Sequence, residues 1–325
     1  MRKVHHPVQA TALARSQGGL ISARQCDELG ISSDRRTALV RHGVWRRVVR
    51  SVYDCQLPTE AGNAFDRRRR RSAWIALLAA GPDSVATGMC ALVLHGVWGL
   101  PQVIAPEAML PGVRANRGPV GVRIRRGPRT GQIVRVGSAR AVDVRTALIQ
   151  ALPELDRNTA VAVMDSALNR ELIDTEGLAW VRRRLRARRG ARRLEAWWPL
   201  VDGRAESPLE SHARLDCLDH GLPPEELQLK VRDEHGRLLG RGDLAWRRED
   251  GTWVVAEVDG EDIHSATPAL YRDRDRQNDF AIDSDVTQLR FAAPDVYRPG
   301  AIAAKVRAAL ASNVRSSGRT GRSAA

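Results

Sequence analysis

Four carboxylates in the last third of the sequence, Glu210, Asp243, Glu257 and Asp259, are the residues best placed to do chemistry. Glu257 and Asp259 are two apart in the run Trp253-Val254-Val255-Ala256-Glu257-Val258-Asp259, which reads as a buried strand, so both project to one face of a sheet. Asp243 stands between Gly242 and the apolar Leu244-Ala245-Trp246, at or inside the preceding strand, and a hairpin would bring it alongside them. Acids are strongly disfavoured in a buried strand unless they are paired or bind metal. Carboxylates gathered at a sheet edge repel one another without a cation, and hard oxygen ligands suit Mg²⁺ or Mn²⁺. Such an ion activates water and stabilises charge developing on a phosphodiester. Two of the acids also have structural readings. Ser207 and Glu210 have capping-box spacing, so Glu210 can simply bond back to a helix start, and Asp243 after Gly242 can be a turn residue.

The elements that must position these acids follow in a clear order. Ser207-Pro208 opens a helix to His220, and Leu227 to Asp233 and Leu239 to Ala245 read as strands joined by a turn at Glu234 to Gly236. A third strand runs from Thr252 to Asp259, followed by a polar helix from Pro268 to Asp283, a strand Thr287 to Phe291 and a helix Ile302 to Leu310. This is a compact α/β core with helices covering a mixed sheet. The tail from Ser312 to Ala325, rich in Ser, Gly and Arg, is expected to be disordered.

The front of the chain has a different character. Val8 to Ser16 is helical in pattern, Gly18-Gly19 breaks it, and Ser22 with Gln25 forms a capping box opening a second helix to Leu29. Gly30 makes a turn, Ser32 or Ser33 caps a third helix to about His42, and Gly43 ends it. Trp45 to Tyr53 then alternates apolar and basic residues as a two-stranded wing. The pattern is that of a winged helix-turn-helix, with Arg35, Arg36 and Arg41 on the recognition helix and Arg46, Arg47 and Arg50 on or beside the wing, all candidates to contact DNA. An ordinary three-helix bundle with a solvated basic face is the plainer alternative.

Between these segments, helices are expected over Ser72 to Ala80, Ala86 to Leu94, Val144 to Ala151, Thr159 to Asn169 and Thr175 to Arg188, with short strands around Val120 to Arg126 and Gln132 to Val136. The Arg67 to Arg71 run and the Arg182 to Arg193 cluster either track phosphates or are solvated helix faces. His95, in an apolar stretch, reads as a satisfied buried histidine. The whole is a multidomain α/β chain: a winged helix-turn-helix over residues 1–58, a mainly helical middle over 59–203, a compact α/β core over 204–311 and a tail over 312–325.

Charge separates the same regions. Residues 1–200 carry 34 basic against 16 acidic residues, and residues 201–325 carry 18 against 22, within a formal charge of +14 for the 325-residue chain. Only Lys3, Lys230 and Lys305 are lysines, so the excess is guanidinium, suited to bidentate phosphate and guanine contacts. Double-stranded DNA is the leading partner. Four scattered cysteines, with no C-x-x-C pair, signal neither a disulfide framework nor a zinc site. With no apolar run long enough to span a bilayer, a cytoplasmic protein with no membrane partner is expected.

The ordered set Ser207-Pro208-Leu209-Glu210-Ser211, Gly242-Asp243-Leu244, Glu257-Val258-Asp259-Gly260, His264, Arg272-Asp273-Arg274 to Asn278 and Leu289-Arg290-Phe291 resembles the restriction-endonuclease-like (PD-(D/E)XK) fold, and within it the branch related to very-short-patch mismatch repair endonuclease. The resemblance covers residues 205–300. It implies a mixed-sheet nuclease core in which Asp243 and Glu257 bind Mg²⁺ and Glu210 assists. Asp259 stands where that superfamily has a lysine, which leaves water activation to the metal or to His264 as general acid or base. Residues 8–200 are similar to AbiEi-family antitoxins of type IV toxin–antitoxin systems, on the Gly18 to Tyr53 pattern and the Ala86 to Pro101 segment around Leu94-His95-Gly96. That resemblance implies promoter binding, autorepression and a cognate toxin. Arg36 falls where such a helix usually has an apolar contact. Two functions are therefore carried forward: a Mg²⁺-dependent DNA endonuclease, and a DNA-binding repressor or antitoxin whose nuclease-like domain does not cleave. The balance of 13 basic against 22 acidic residues over 201–304 favours the second, and the four-acid set favours the first.

Overall fold

The computed structural model describes residues 6–58, 63–110, 119–125, 131–186, 188, 190–232, 235–260 and 286–312. It is a multidomain α/β protein of two units, Met1–Gly203 and Arg204–Ala325. His264, the expected helix from Pro268 to Asp283, the Arg272 to Asn278 motif and all but the first residue of the tail lie outside the described residues.

The first unit opens with α1 (Val8–Ser16), β1 (Leu20–Ser22), α2 (Ala23–Glu28), α3 (Ser33–Arg41), β2 (Arg46–Val49) and β3 (Val52–Asp54). Ser22 and Gln25 make both halves of the capping box of α2, and Ser32 caps α3 by accepting the Arg35 N–H. Ala10, Ala14, Ile21, Cys26, Leu39, Trp45 and Cys55 form the core beneath these helices. The sheet has three strands in the order β1-β3-β2, one more than the pattern foretold. β1 escapes notice because the three residues Leu20-Ile21-Ser22 behind Gly18-Gly19 are too few to show alternation.

The rest of this unit comprises α4 (Ala64–Ala80), β4 (Val85–Ala86), α5 (Gly88–His95), β5 (Glu107–Met109), β6 (Arg123–Arg125), β7 (Ile133–Val136), β8 (Ala139–Val142), α6 (Val144–Ala151), α7 (Arg157–Asn169), α8 (Thr175–Leu185) and α9 (Ala191–Leu194). Asn63 caps α4, which contains the Arg67 to Arg71 run instead of starting after it. The expected mainly helical middle in fact holds a five-stranded mixed sheet in the order β6-β5-β4-β8-β7. The strands expected around Val120 to Arg126 and Gln132 to Val136 are present as β6 and β7, whereas β4, β5 and β8, two to four residues long, are too short to show a period. His95 is satisfied, with Nε2 2.8 Å from the Val142 carbonyl oxygen.

The second unit comprises α10 (Pro208–Asp219), β9 (Glu226–Arg232), β10 (Leu238–Arg247), β11 (Trp253–Asp259), β12 (Val286–Ala292), α11 (Ala293–Val296) and α12 (Ala301–Ala311). The sheet order is β12-β11-β10-β9, with β11 and β12 parallel and the other pairs antiparallel. Leu244, Trp246, Val254, Ala256 and Phe291 pack against Ala213 and Cys217 of α10 and Ile302 and Val306 of α12. All four cysteines of the chain are buried free thiols. Among the described residues, no helix is long and apolar enough to cross a membrane.

Candidate active site

Helix α10 sets the first acid. Ser207 Oγ accepts the Glu210 N–H at 3.1 Å, and Pro208 occupies the first turn, where its missing N–H costs nothing. Glu210 is thereby held in the first turn, 6% exposed. Its Oε2 accepts the Glu206 N–H at 2.8 Å and the Gln228 side-chain amide at 2.7 Å. The carboxylate therefore bonds one residue upstream of a regular capping box and across to β9.

Asp243 is set by the meeting of β10 and β11. Their backbone register runs from Arg247↔Trp253 to Leu244↔Ala256, and at the next position the Asp243 carboxylate takes the Val258 N–H at 2.8 Å. Gly242 is required beside it, because a Cβ there would fall 1.6 Å from Val255 Cγ1. The aspartate is thus used as a strand partner and is not part of a turn.

Gln228, for which the sequence carried no signal, joins the two acids. Its backbone is left-handed at φ +56°, a conformation that costs a non-glycine residue on the order of 1–3 kcal/mol. In a regular strand Leu227, Leu229 and Val231 would share a face. Here Leu227 packs with Leu244 and Trp246, while Leu229 and Val231 pack with Ala245 and Val255 on the other side. The turn at Gln228 aims its amide at Glu210 and Asp243, and its buried Oε1 has no hydrogen-bond partner.

Burial, and then the nearby Asp243 charge, push the Glu210 carboxyl up to about 7. Asp243 is also raised, by burial first and by the exposed Asp259, against the opposing Val258 N–H and Arg241. Arg241 grips Glu206 in a two-pronged ion pair at 2.6 and 2.5 Å, and so positions the residue whose N–H bonds Glu210.

Glu257 has a separate partner. It lies opposite Arg290 in the parallel β11–β12 register, with Arg290 Nε 3.0 Å from its Oε2. An acid in a central strand is here answered by a guanidinium from the next strand. The structure therefore brings Glu210 and Asp243 together, with Asp259 beside them, and pairs Glu257 with Arg290. Among the described residues, no group of three or more His, Cys, Asp or Glu side chains is disposed to hold a metal ion. Glu210 and Asp243 nevertheless offer carboxylate oxygens in the number, one or two, that usually holds Mg²⁺, with Gln228 serving them as an amide donor.

In the first unit, Arg35, Arg41, Arg46, Arg47 and Arg50 are exposed, with Arg46 reaching Asp54 at 3.3 Å. Arg36 departs from the expected set. It is 8% exposed, ion-paired to Asp27 and bonded to the Ile31 carbonyl at 2.8 Å, so it ties α3 to α2 and does not join the basic surface. Gln228, Arg241 and Glu206 were missed by sequence reasoning, because their roles depend on partners on other elements.

No protein-family model matches the chain. The fold and site define a two-unit α/β protein with a close acid pair, one member buried, where a helix meets a mixed sheet. Two uncharacterized proteins of Mycobacterium tuberculosis, from strains CDC 1551 / Oshkosh and ATCC 25618 / H37Rv, are each 31% identical to it over 228 residues, spanning 70% of this chain and 81% of theirs. The chain belongs to the same family as these mycobacterial proteins.

Proposed function

We propose that the protein is a Mg²⁺- or Mn²⁺-dependent DNA endonuclease, with a restriction-endonuclease-like core in its second unit and duplex DNA held by an N-terminal winged helix-turn-helix. The observation that carries this reading is the pair Glu210 and Asp243, a buried and a half-buried carboxylate beside each other whose hydrogen bonds, among the described residues, come from neutral groups alone. A bound divalent ion would supply an activated water and stabilise charge on the phosphodiester. Asp243 and Glu210 would hold it, with Gln228 keeping the Glu210 carboxylate turned toward Asp243 and Arg241 steadying Glu206 behind it. Glu257 joins such a set only by exchanging its Arg290 partner. His264 is the proposed general acid or base. The exposed Arg35, Arg41, Arg46, Arg47 and Arg50 support phosphate contact by the first unit.

The test is conversion of supercoiled plasmid to nicked or linear DNA by the purified chain with Mg²⁺ or Mn²⁺, beside Asp243→Ala and Glu210→Ala. Cleavage that both substitutions abolish is the expected result. Cleavage that survives both would sink the assignment.

The Glu257–Arg290 pair, with Asp259 in the usual lysine position, favours a second reading. In it the protein is a DNA-binding repressor or type IV antitoxin whose nuclease-like domain does not cleave, working with a cognate toxin. No nicking, together with salt-sensitive promoter binding that Arg35→Ala and Arg41→Ala weaken, would select it.

A further inference from the structure

The first unit contains a cavity of about 310 Å³ that neither functional reading uses. Its walls come from α2, the second half of α4 and the β7–β8 hairpin, all within one unit. The chemistry of the lining is uneven. Arg24, Arg135 and Arg140 contribute three guanidiniums, against the single carboxylate of Glu28, which Arg24 already engages at 2.8 Å.

Arg135 and Arg140 are direct cross-strand partners in the antiparallel β7–β8 pair, so their side chains share a face. Like charges placed opposite each other destabilise a hairpin. Arg140 reaches only the Asp83 carbonyl at 3.4 Å and its exposed carboxylate at 3.9 Å, and Arg135 has no carboxylate partner among the described residues. Two neighbouring guanidinium forks with so little compensation are suited to a phosphate group. The cavity also offers the half-buried indole of Trp74, a surface on which a planar ring can stack. Gln17, 3% exposed, closes the floor of the cavity.

We propose that this cavity binds a nucleoside monophosphate, with the phosphate between Arg135 and Arg140 and the base against Trp74. The volume lies at the small end of ligand sites, which suits a mononucleotide and not a dinucleotide. Occupancy would tie α2 to the β7–β8 hairpin and raise the melting temperature of the full chain.

The test is calorimetric titration of the full-length protein with AMP, GMP, CMP and UMP, beside the matching nucleosides and inorganic phosphate, with thermal melts in parallel. At least one monophosphate should bind saturably and raise the melting temperature, with its nucleoside and free phosphate at least ten-fold weaker. Arg135→Ala combined with Arg140→Ala, at accessible positions where folding is readily confirmed by circular dichroism, should weaken binding at least ten-fold, and Trp74→Phe should weaken it less. Absence of saturable binding by all four at millimolar concentration overturns the proposal, as does binding unchanged by the arginine substitutions. Free phosphate binding as tightly as the nucleotides would overturn it too, since the base against Trp74 would then add nothing.

Discussion

Glu107 in the first unit and Glu210 in the second are both almost sealed from water, at 1% and 6% exposure, and burial raises both carboxyls. Their surroundings are opposite in kind. Glu107 lies opposite Arg123 in the parallel β5–β6 register, with Arg125 at 2.7 Å and Arg123 at 3.7 Å, and accepts the Met89 N–H at the start of α5. Glu154 completes the network at 2.9 Å from Arg123 and 2.8 Å from Arg125. Burial would raise its carboxyl, but the two guanidiniums prevail and hold it below the ordinary range. Among the described residues, Glu210 has no guanidinium within ion-pair distance. Its bonds come from one backbone N–H and one neutral amide, and its nearest charged influence is a second acid. A buried acid ringed by arginines serves the scaffold, whereas a buried acid set against another acid is stabilised by taking up a proton or a cation.

The largest effect that would sharpen this contrast is catalytic. Asp243→Ala and Glu210→Ala should each lower metal-dependent plasmid nicking by at least ~100-fold, a loss typical of removing charge stabilisation at a reacting centre. Glu107→Gln should leave nicking by the folded fraction unchanged. Next is stability. Glu107→Ala removes one of the two carboxylates that hold the Arg125 guanidinium, leaving Glu154, and should cost ~1–3 kcal/mol in urea unfolding of the first unit. Equal losses from Glu107→Ala and Glu210→Gln would break the comparison.

The third expectation concerns pH. Because Glu210 titrates near 7 when folded against an ordinary 4.5, its contribution to stability is fully present below about pH 4.5 and is lost as pH rises through about 7. Glu210→Gln should flatten that slope and stabilise the second unit at pH 8 by ~1–3 kcal/mol. An unchanged slope would mean that this carboxyl is ionised throughout. The smallest effect contrasts exposed and buried arginines in the first unit. Each DNA phosphate that Arg35→Ala or Arg41→Ala leaves without its guanidinium should reduce the slope of log K against log salt by ~0.9. Arg36→Ala should instead lower the melting temperature, because its bonds to Asp27 and Ile31 disappear.

What could be read in advance was governed by near neighbours in the chain. The Ser22–Gln25 capping box, the Ser32 and Ser207 caps and the apolar-rich runs of β9 to β12, seven to ten residues long, depend on residues within a few positions of one another. They mark element ends and faces directly. The short strands β1, β4, β5 and β8 were not legible, because two to four residues are too few to show a period and only their pairing defines them. Arg36 shows the same limit from the other side. Its type suggested solvent and DNA, and only the placing of Asp27 and the Ile31 carbonyl beside α3 drew it inward.

The sequence by itself determined the two-region charge contrast, the α/β order of the last segment and the presence of four acids at sheet and helix positions. Tertiary structure decided which of those acids stay uncompensated. Glu257 is answered by Arg290 from the next strand, Glu107 by Arg125 and Arg123, and Glu206 by Arg241, 35 residues away. Glu210 and Asp243 meet each other and the left-handed Gln228 instead. Coulomb interactions act through space over a few ångströms, so the state of a buried charge depends on which distant side chains the fold delivers to it.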